Sequence, residues 1–343
     1  MIKDPKIYNK GYQLIVSIGR AENLRKSYDC FVSVRVAGLF QITNSTNSQS
    51  PTFGLKFAFP LYFPFINDKI IINVWTKGGI FSDNKMIGRV PEIATAKDIF
   101  NISQLQTNEG RMPPTWINMY GDVNGLALPK KHLLGHDYCG RLLVSMALIP
   151  ADEPRFYMAP ADSMRAPQEI EYYFWVEVYR VRRLKSNPNF LVTIAKIGGV
   201  TATSDRAKKD SKGEPNFEWD QETAEMEEKR INLPRKAKMI PDIILQVAPS
   251  NDLKKVGGFA RVSATSVVEK RESKPEWYPL RHPEDPLGEN VGQMLANIQL
   301  VKCDGAPQRN PQLPTRETKF ELMVLLYQGY MLGNPGESNM DKD

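Results

Sequence analysis

Residues able to catalyse a reaction or to hold a metal ion are few and widely spaced in this sequence. The histidines and cysteines are His132, His136, His282, Cys30, Cys139 and Cys303. His132 and His136 have the i, i+4 spacing that places two ligands on one helix face, but Gly135 interrupts any helix there. The pattern contains neither the paired cysteines of a zinc site nor the nucleophile, base and orienting group of a hydrolase. The sequence therefore predicts no metal site and no enzyme.

Glycine-rich loops that bind phosphate groups are not predicted either. Gly198-Gly199 and Gly257-Gly258 are followed by strand-like residues, whereas a nucleotide-binding loop continues into Gly-Lys-Ser/Thr and a helix. We expect no nucleotide and no other cofactor.

Two clusters of basic side chains are the strongest candidates for a binding surface. They are Arg180, Arg182, Arg183 and Lys185, and then Arg206, Lys208, Lys209 and Lys212. Each Lys or Arg near an anionic lipid leaflet contributes about 1 kcal/mol, so several that converge would bind a membrane. The acidic residues Glu222, Glu225, Glu227 and Glu228 follow closely and could neutralise them. A mixed, solvated loop is therefore the alternative interpretation.

Length and composition indicate two folded domains rich in β-structure. The chain has 343 residues, is 41% hydrophobic and contains 23 glycines and 25 prolines without a period. Residues 1–150 carry 17 Lys and Arg against 10 Asp and Glu, so the excess of basic residues behind the net charge of +6 lies in the first part of the chain. Three cysteines indicate a reducing compartment, and no signal peptide or membrane-spanning stretch is evident. We expect a cytoplasmic protein, peripheral to a membrane or to the cytoskeleton.

Hydrophobic residues alternate with polar ones in many short runs. Leu14, Val16 and Ile18 share one face of the run YQLIVSIGRAENL, and about seven similar runs follow before Pro150. Turn residues separate the runs, and amphipathic helices are scarce. This pattern is typical of an antiparallel β-sandwich.

The second part of the chain repeats the features of the first in the same order. YQLIVSIGRAENL corresponds to YYFWVEVYRVRRL, DKIIINVW to PDIILQVA, and YCGRLLVSMALI to NVGQMLANIQLV. Prolines are concentrated between the copies. We therefore expect an all-β protein with two antiparallel eight-stranded sandwiches, at residues 1–150 and 168–303, joined by a linker at 151–167.

Residues 304–343 form a tail that contains one further strand-like run. Residues 319–327 read KFELMVLLY and resemble the first strand of a third unit. A strand without partners is marginal in water, so we expect this one to add to an exposed sheet edge.

The order of these features resembles that of C2 domains. The resemblance is carried by DCFVSV, by the strand IIINVW, by Ile87-Gly88, and by a strand with Trp116 and Tyr120. The pairing of TWINMYG with YCGRLLVSMAL, the proline-rich bridge and the closing KFELMVLLYQGYML are similar to ferlins, which contain serial C2 domains. The resemblance implies tandem C2-type sandwiches in membrane trafficking or fusion, without the family's transmembrane helix and most of its domains.

The resemblance also identifies the positions at which C2 domains bind calcium. Such sites need about five carboxylates from two loops, because Ca²⁺ takes six to eight oxygen ligands. Only Asp29 and Asp83 remain in the first unit, where Arg25-Lys26-Ser27 and Lys77 occupy neighbouring positions. Asp252 is alone in the second unit. These three aspartates are vestigial, and we expect no calcium-dependent function.

The expected function is that of a non-enzymatic interaction module. Ile80 and Phe81 stand at the expected tip of a loop and could enter a bilayer or a partner's pocket, although they could also fold back on the sandwich. The basic clusters favour an anionic phospholipid or phosphoinositide membrane, and a protein scaffold or other C2 domains are further partners. Nucleic acid is not expected. The alternative is a structural subunit of a cytoskeletal or axonemal assembly in which C2 faces contact only proteins.

Overall fold

The computed structural model describes residues 11–62, 67–79, 82–90, 100–128, 134–151, 164–186, 188–209, 217–218, 224–268 and 274–303. Strands dominate these residues and form two sandwiches in chain order. The predicted all-β fold class is therefore confirmed. Ile80, Phe81, Lys212 and the strand-like run at 319–327 lie outside the described residues.

The first sandwich consists of two antiparallel sheets. Its strands are β1 (Gly11–Glu22), β2 (Tyr28–Val36), β3 (Leu39–Ile42), β4 (Thr46–Ser48), β5 (Thr52–Tyr62), β6 (Ile70–Thr76), β7 (Lys85–Val90), β8 (Arg111–Gly121) and β9 (Asp137–Pro150). One sheet has the order β5-β1-β9-β8, and the other has the order β3-β2-β6-β7 with β4 also on β2. Leu14, Val16 and Ile18 of β1 are fully buried between the sheets, as their alternation predicts.

The second sandwich repeats this arrangement. Its strands are β10 (Glu169–Arg182), β11 (Phe190–Ile197), β12 (Val200–Thr203), β13 (Ala207–Lys209), β14 (Phe217–Glu218), β15 (Ala224–Glu225), β16 (Lys229–Pro234), β17 (Ile243–Pro249), β18 (Gly258–Val262), β19 (Glu276–Leu280) and β20 (Gly292–Lys302). Their order is β18-β17-β11-β13-β14-β10-β20-β19, with β12 on β11 and with β15 and β16 on β10. The short pairing of β13 with β14 joins two sheets that correspond to those of the first sandwich.

Among the described residues, the strand counts of nine and eleven exceed eight because edge strands are broken into pieces. The pieces are β3 and β4 in the first sandwich, and β12 with β13 and β14 with β15 and β16 in the second. In the first sandwich, the Thr43 hydroxyl accepts the Val32 N–H at 2.9 Å and separates β3 from β4. In the second, the Ser204 hydroxyl accepts the Thr193 N–H at 3.0 Å and separates β12 from β13. A side-chain hydroxyl thus replaces a ladder carbonyl at the same place in both copies. The internal repeat extends to this hydrogen bond.

Helices are short and lie in connections. They are α1 (Ile102–Thr107), α2 (Ala264–Val268) and a 3₁₀ turn (Ala237–Met239). The β2–β3 turn places both Ala37 and Gly38 at positive φ, 47° and 85°, which is the conformation that matches the twist of a two-residue hairpin. Within the described ranges, no helix has the length and apolar character needed to cross a membrane.

Candidate functional site

The β1–β2 loop of the first sandwich is held by an arginine. The Arg25 guanidinium donates to the Val123 carbonyl at 2.7 Å and forms an ion pair with Asp137, so it ties this loop to the loop between β8 and β9. Asp29 is half-buried at the start of β2, and Asp83 is exposed in the loop after β6. Among the described side chains, no group of three or more His, Cys, Asp or Glu residues is placed to hold a metal ion. The Arg25 guanidinium thus adds a fixed positive charge to the β1–β2 loop.

Asp252, the corresponding aspartate of the second sandwich, is exposed. Its carboxylate accepts the Lys254 N–H at 3.1 Å, which caps a turn after β17. This bond gives Asp252 a local structural role.

Asp137 is the centre of a joint between the two sandwiches. Its side chain is only 1% exposed and accepts from Arg25 of its own sandwich and from the Lys196 ammonium on β11 at 2.7 Å. The second carboxylate oxygen accepts the Tyr138 N–H at 2.9 Å. Burial lowers the pKa of Lys196, while the Asp137 charge opposes that effect. A buried carboxylate with two cations ties three chain segments together.

Aromatic side chains surround this charged group. Tyr120 and Tyr138 pack against Ile244 of β17, and the two rings meet edge to face at 5.9 Å. The Tyr120 hydroxyl accepts the Asp242 N–H at 2.7 Å, and the Arg261 guanidinium lies over the Tyr120 ring at 3.6 Å from its centroid. Burial raises the pKa of the Tyr120 hydroxyl. Both sandwiches therefore contribute apolar and polar groups to the same contact.

His136 lies in the same joint and is 6% exposed. Its carbonyl accepts the Gln246 side-chain N–H at 2.6 Å, and its ring lies 5.6 Å from the Phe259 ring. The Nδ1 atom is buried without a hydrogen-bond partner among the described residues. Burial lowers the pKa of His136 below its ordinary value of 6.5; Asp137 and Asp122 oppose this effect, whereas Lys196 and Arg25 add to it.

This environment predicts a pH-dependent joint. Because the folded-state pKa of His136 is depressed, its contribution to stability is complete above pH 6.5 and is lost as the pH falls towards the folded-state value. We expect the free energy of unfolding to fall as the pH drops below about 6.5, by at most about 1.4 kcal/mol per pH unit. Urea unfolding at several pH values measures this dependence. The free energy of unfolding of His136→Gln should change less with pH than that of the wild type, whereas His282→Gln, at an exposed position, should match the wild type. Equal slopes for all three proteins would contradict this assignment.

Arg141 provides a second link between the sandwiches. It is 6% exposed, lies over the Trp116 ring at 4.2 Å and pairs with Glu22 of β1 and, at 2.6 Å, with Glu169 of β10. Nearby, Trp116 and Leu143 pack against Met239 of the second sandwich. The Asn118 side chain donates to the Met239 carbonyl at 3.1 Å. The joint therefore extends from β8 and β9 to the 3₁₀ turn.

The structure brings the two basic clusters to strands β10 and β13, which lie on either side of β14. Val181 of β10 pairs with Phe217 of β14, and Phe217 pairs with Lys209 of β13. The end of β10 and the strand that carries Lys208 and Lys209 are thus separated by one short strand. Among the acidic residues proposed to neutralise them, Glu227 forms an ion pair with Lys229.

The basic side chains differ in their exposure. Arg183, Arg206, Lys208 and Lys185 are exposed, whereas Arg180, Arg182 and Lys209 are half-buried. Arg182 lies over the Trp277 ring at 3.8 Å and donates to the Gln293 side-chain oxygen Oε1 at 2.9 Å, so its guanidinium contributes to packing. Lys185 pairs with Glu289 at 3.1 Å. The surface formed by Arg183, Arg206 and Lys208 is named the basic surface below.

Two curated proteins are similar to this chain in sequence. A protein named Ferlin 2 from Tetrahymena thermophila is 26% identical over 370 residues, which cover 94% of this chain and 21% of that protein. A Ferlin 2 from Toxoplasma gondii is 30% identical over 146 residues, which cover 39% of this chain and 9% of that protein. The chain thus spans about a fifth or less of the length of each relative. No protein-family model matches it.

Solved structures with C2 domains also match, at low scores. The tandem C2 domains of Extended-Synaptotagmin 2 are 14% identical with a TM-score of 0.31, and the match covers 88% of this chain and 94% of that one. A structure described as a C2 domain is 16% identical with a TM-score of 0.26 and covers 40% of this chain and 98% of that one. The chain thus folds into two sandwiches in tandem and is similar in sequence to a ferlin along most of its length.

Proposed function

We propose that this chain is a non-enzymatic pair of C2 sandwiches that docks without calcium on an anionic phospholipid membrane, in membrane trafficking or fusion. The observation that supports docking is the basic surface, because Arg183, Arg206 and Lys208 are exposed on or beside β10 and β13, the two strands that flank β14. Each such side chain contributes about 1 kcal/mol at an anionic leaflet. The similarity to ferlins supports the setting.

Calcium independence rests on the β1–β2 loop. The Arg25 guanidinium adds positive charge to this loop and pairs with Asp137, and of the described family positions only Asp29 and Asp83 carry carboxylates. A calcium ion would therefore be repelled by the Arg25 guanidinium and would lack the six to eight oxygen ligands that it requires.

Vesicle co-sedimentation tests the proposed docking. We expect binding to vesicles that contain phosphatidylserine, equal binding in calcium and in chelator, and loss of binding in high salt, since exposed charges are screened beyond about 8 Å at physiological ionic strength. Binding only in calcium, or equal binding to neutral vesicles, would overturn the proposal. Lack of binding to either vesicle would favour the structural alternative, in which the sandwiches contact only proteins.

Thermal unfolding tests the calcium prediction separately. If the dissociation constant is about 1 mM or weaker, about 0.1 mM Ca²⁺ adds at most about 0.1 kcal/mol of stability. The unfolding midpoint should then rise by less than about 1 °C. Differential scanning calorimetry in calcium, in magnesium and in chelator makes the measurement. A rise of several degrees that is specific to calcium would show that the chain binds calcium and would contradict the prediction.

A further inference from the structure

The face of the second sandwich that packs in the joint has a counterpart in the first. Lys196 lies opposite Ile244 across β11 and β17, as Arg35 lies opposite Ile71 across β2 and β6. The neighbouring pair Ile194 and Gln246 corresponds in the same way to Ser33 and Asn73. We name the outer face that carries Phe31, Ser33, Arg35, Ile71, Asn73 and Trp75 the β2–β6 face.

The two faces differ in what covers them. In the second sandwich, Ile244 and Gln246 are fully buried, and Lys196 pairs with Asp137. On the β2–β6 face, Arg35 is exposed and forms no ion pair with any described carboxylate. Beside it, the Phe31 and Trp75 rings stack at 6.4 Å and remain partly exposed. The first sandwich thus presents an exposed cation at the position where the second uses Lys196 for docking, with apolar rings beside it.

The end of the first sandwich that carries Asp137 and contacts the second sandwich also has a counterpart, at the end of the second sandwich that carries Glu289. Leu143 lies opposite Trp116, and Leu295 lies opposite Trp277, which aligns β9 with β20. Glu289 precedes Leu295 by the same number of residues as Asp137 precedes Leu143. Each acid pairs with a cation from the loop after the first strand of its own sandwich: Asp137 with Arg25, and Glu289 with Lys185.

This second end is open to solvent. The side chains of Lys185 and Glu289 are 59% and 89% exposed, in contrast to the buried Asp137. Leu287 on the same end is 63% exposed and adds apolar surface. Glu289 therefore has the position of Asp137 but lacks, among the described residues, the second cation that Lys196 gives to Asp137.

We propose that a second copy of this chain docks head to tail, with the Glu289 end of one molecule on the β2–β6 face of the next. Arg35 then pairs with Glu289 as Lys196 pairs with Asp137, and Leu287 contacts the stacked rings of Phe31 and Trp75. The contact joins two different surfaces, so each molecule can bind one further copy at either end and the chain forms oligomers larger than a dimer. This contact is independent of lipid binding and repeats between molecules the joint seen within the chain.

Sedimentation velocity of the full chain over a range of concentrations tests the proposal. We expect the wild type to associate progressively towards about 200 μM, a range in which a contact of micromolar to submillimolar affinity is populated. Arg35→Glu and Glu289→Arg should each weaken the association by about tenfold or more, because each places like charges opposite one another. The double variant Arg35→Glu/Glu289→Arg should recover it.

Mixing provides a sharper criterion. An equimolar mixture of the two single variants restores opposite charges across the contact, so it should associate although each variant alone does not. Arg111→Glu, an exposed change on the other sheet of the first sandwich, should behave as the wild type. A chain that stays monomeric at every concentration would overturn the proposal. So would association that Arg35→Glu and Glu289→Arg leave unchanged, or a mixture that fails to associate.

Discussion

Replacing Asp137 with alanine is expected to lower the free energy of unfolding by about 3–5 kcal/mol. The carboxylate is buried between Arg25 and Lys196, and its removal leaves two cations close together in a site that solvent reaches poorly. The loss should be much larger than that of an exposed ion pair, which contributes about 0–1 kcal/mol. Urea unfolding at a fixed low protein concentration makes the measurement.

The repeat supplies a matched control for this experiment. Glu289→Ala removes the acid at the corresponding position of the second sandwich, where the pair with Lys185 is exposed, and should change stability by less than about 1 kcal/mol. If Asp137→Ala also costs less than about 1 kcal/mol, the charged group does not hold the sandwiches together. A second transition that separates in the Asp137→Ala variant alone would show that the two sandwiches have become uncoupled.

Neutralising the basic surface should reduce affinity for anionic vesicles by about a hundredfold. The triple variant Arg183→Gln, Arg206→Gln and Lys208→Gln removes three charges, each worth about 1 kcal/mol at an anionic leaflet. These side chains lie near the surface of β13 and the end of β10, so the fold should persist. Binding is measured by co-sedimentation with phosphatidylserine vesicles, and thermal unfolding verifies the folded state.

A second triple variant separates local binding from net charge. Arg235→Gln, Lys236→Gln and Lys238→Gln remove three exposed charges of the same sandwich, at and before the 3₁₀ turn. This variant should keep most of its vesicle affinity. Equal losses in the two triple variants would mean that overall charge, rather than the basic surface, determines binding.

The sandwiches could be predicted from sequence because their core follows a local pattern. Strand residues that face inward recur with period two, and Leu14, Val16 and Ile18 are fully buried as that period requires. Repetition of the pattern in the same order predicted the second sandwich. The number of strands was less predictable, since hydroxyls of Thr43 and Ser204 break the edges by replacing one ladder hydrogen bond.

The joint could not be predicted because its residues are distant in sequence. Asp137 meets Arg25 and Lys196 only after both sandwiches have formed, and no periodicity connects these positions. The sequence identifies Arg25 only as a residue near a position where C2 domains carry a calcium ligand. Arg182 belongs to one of the two basic clusters of the sequence, and the structure places its guanidinium over Trp277. This position depends on Trp277, which lies on a strand distant in sequence, so the sequence pattern around Arg182 could not predict it.

The joint also determines how many independent motions the pair of sandwiches retains. Two modules on a flexible tether would sample many mutual orientations, and each would engage a surface as a separate particle at an effective concentration set by the tether. Arg141, which links Glu22 to Glu169, and Asp137, which links Arg25 to Lys196, remove that freedom. The pair then translates and rotates as one body, so engagement of the second sandwich also sets the direction in which the first one points.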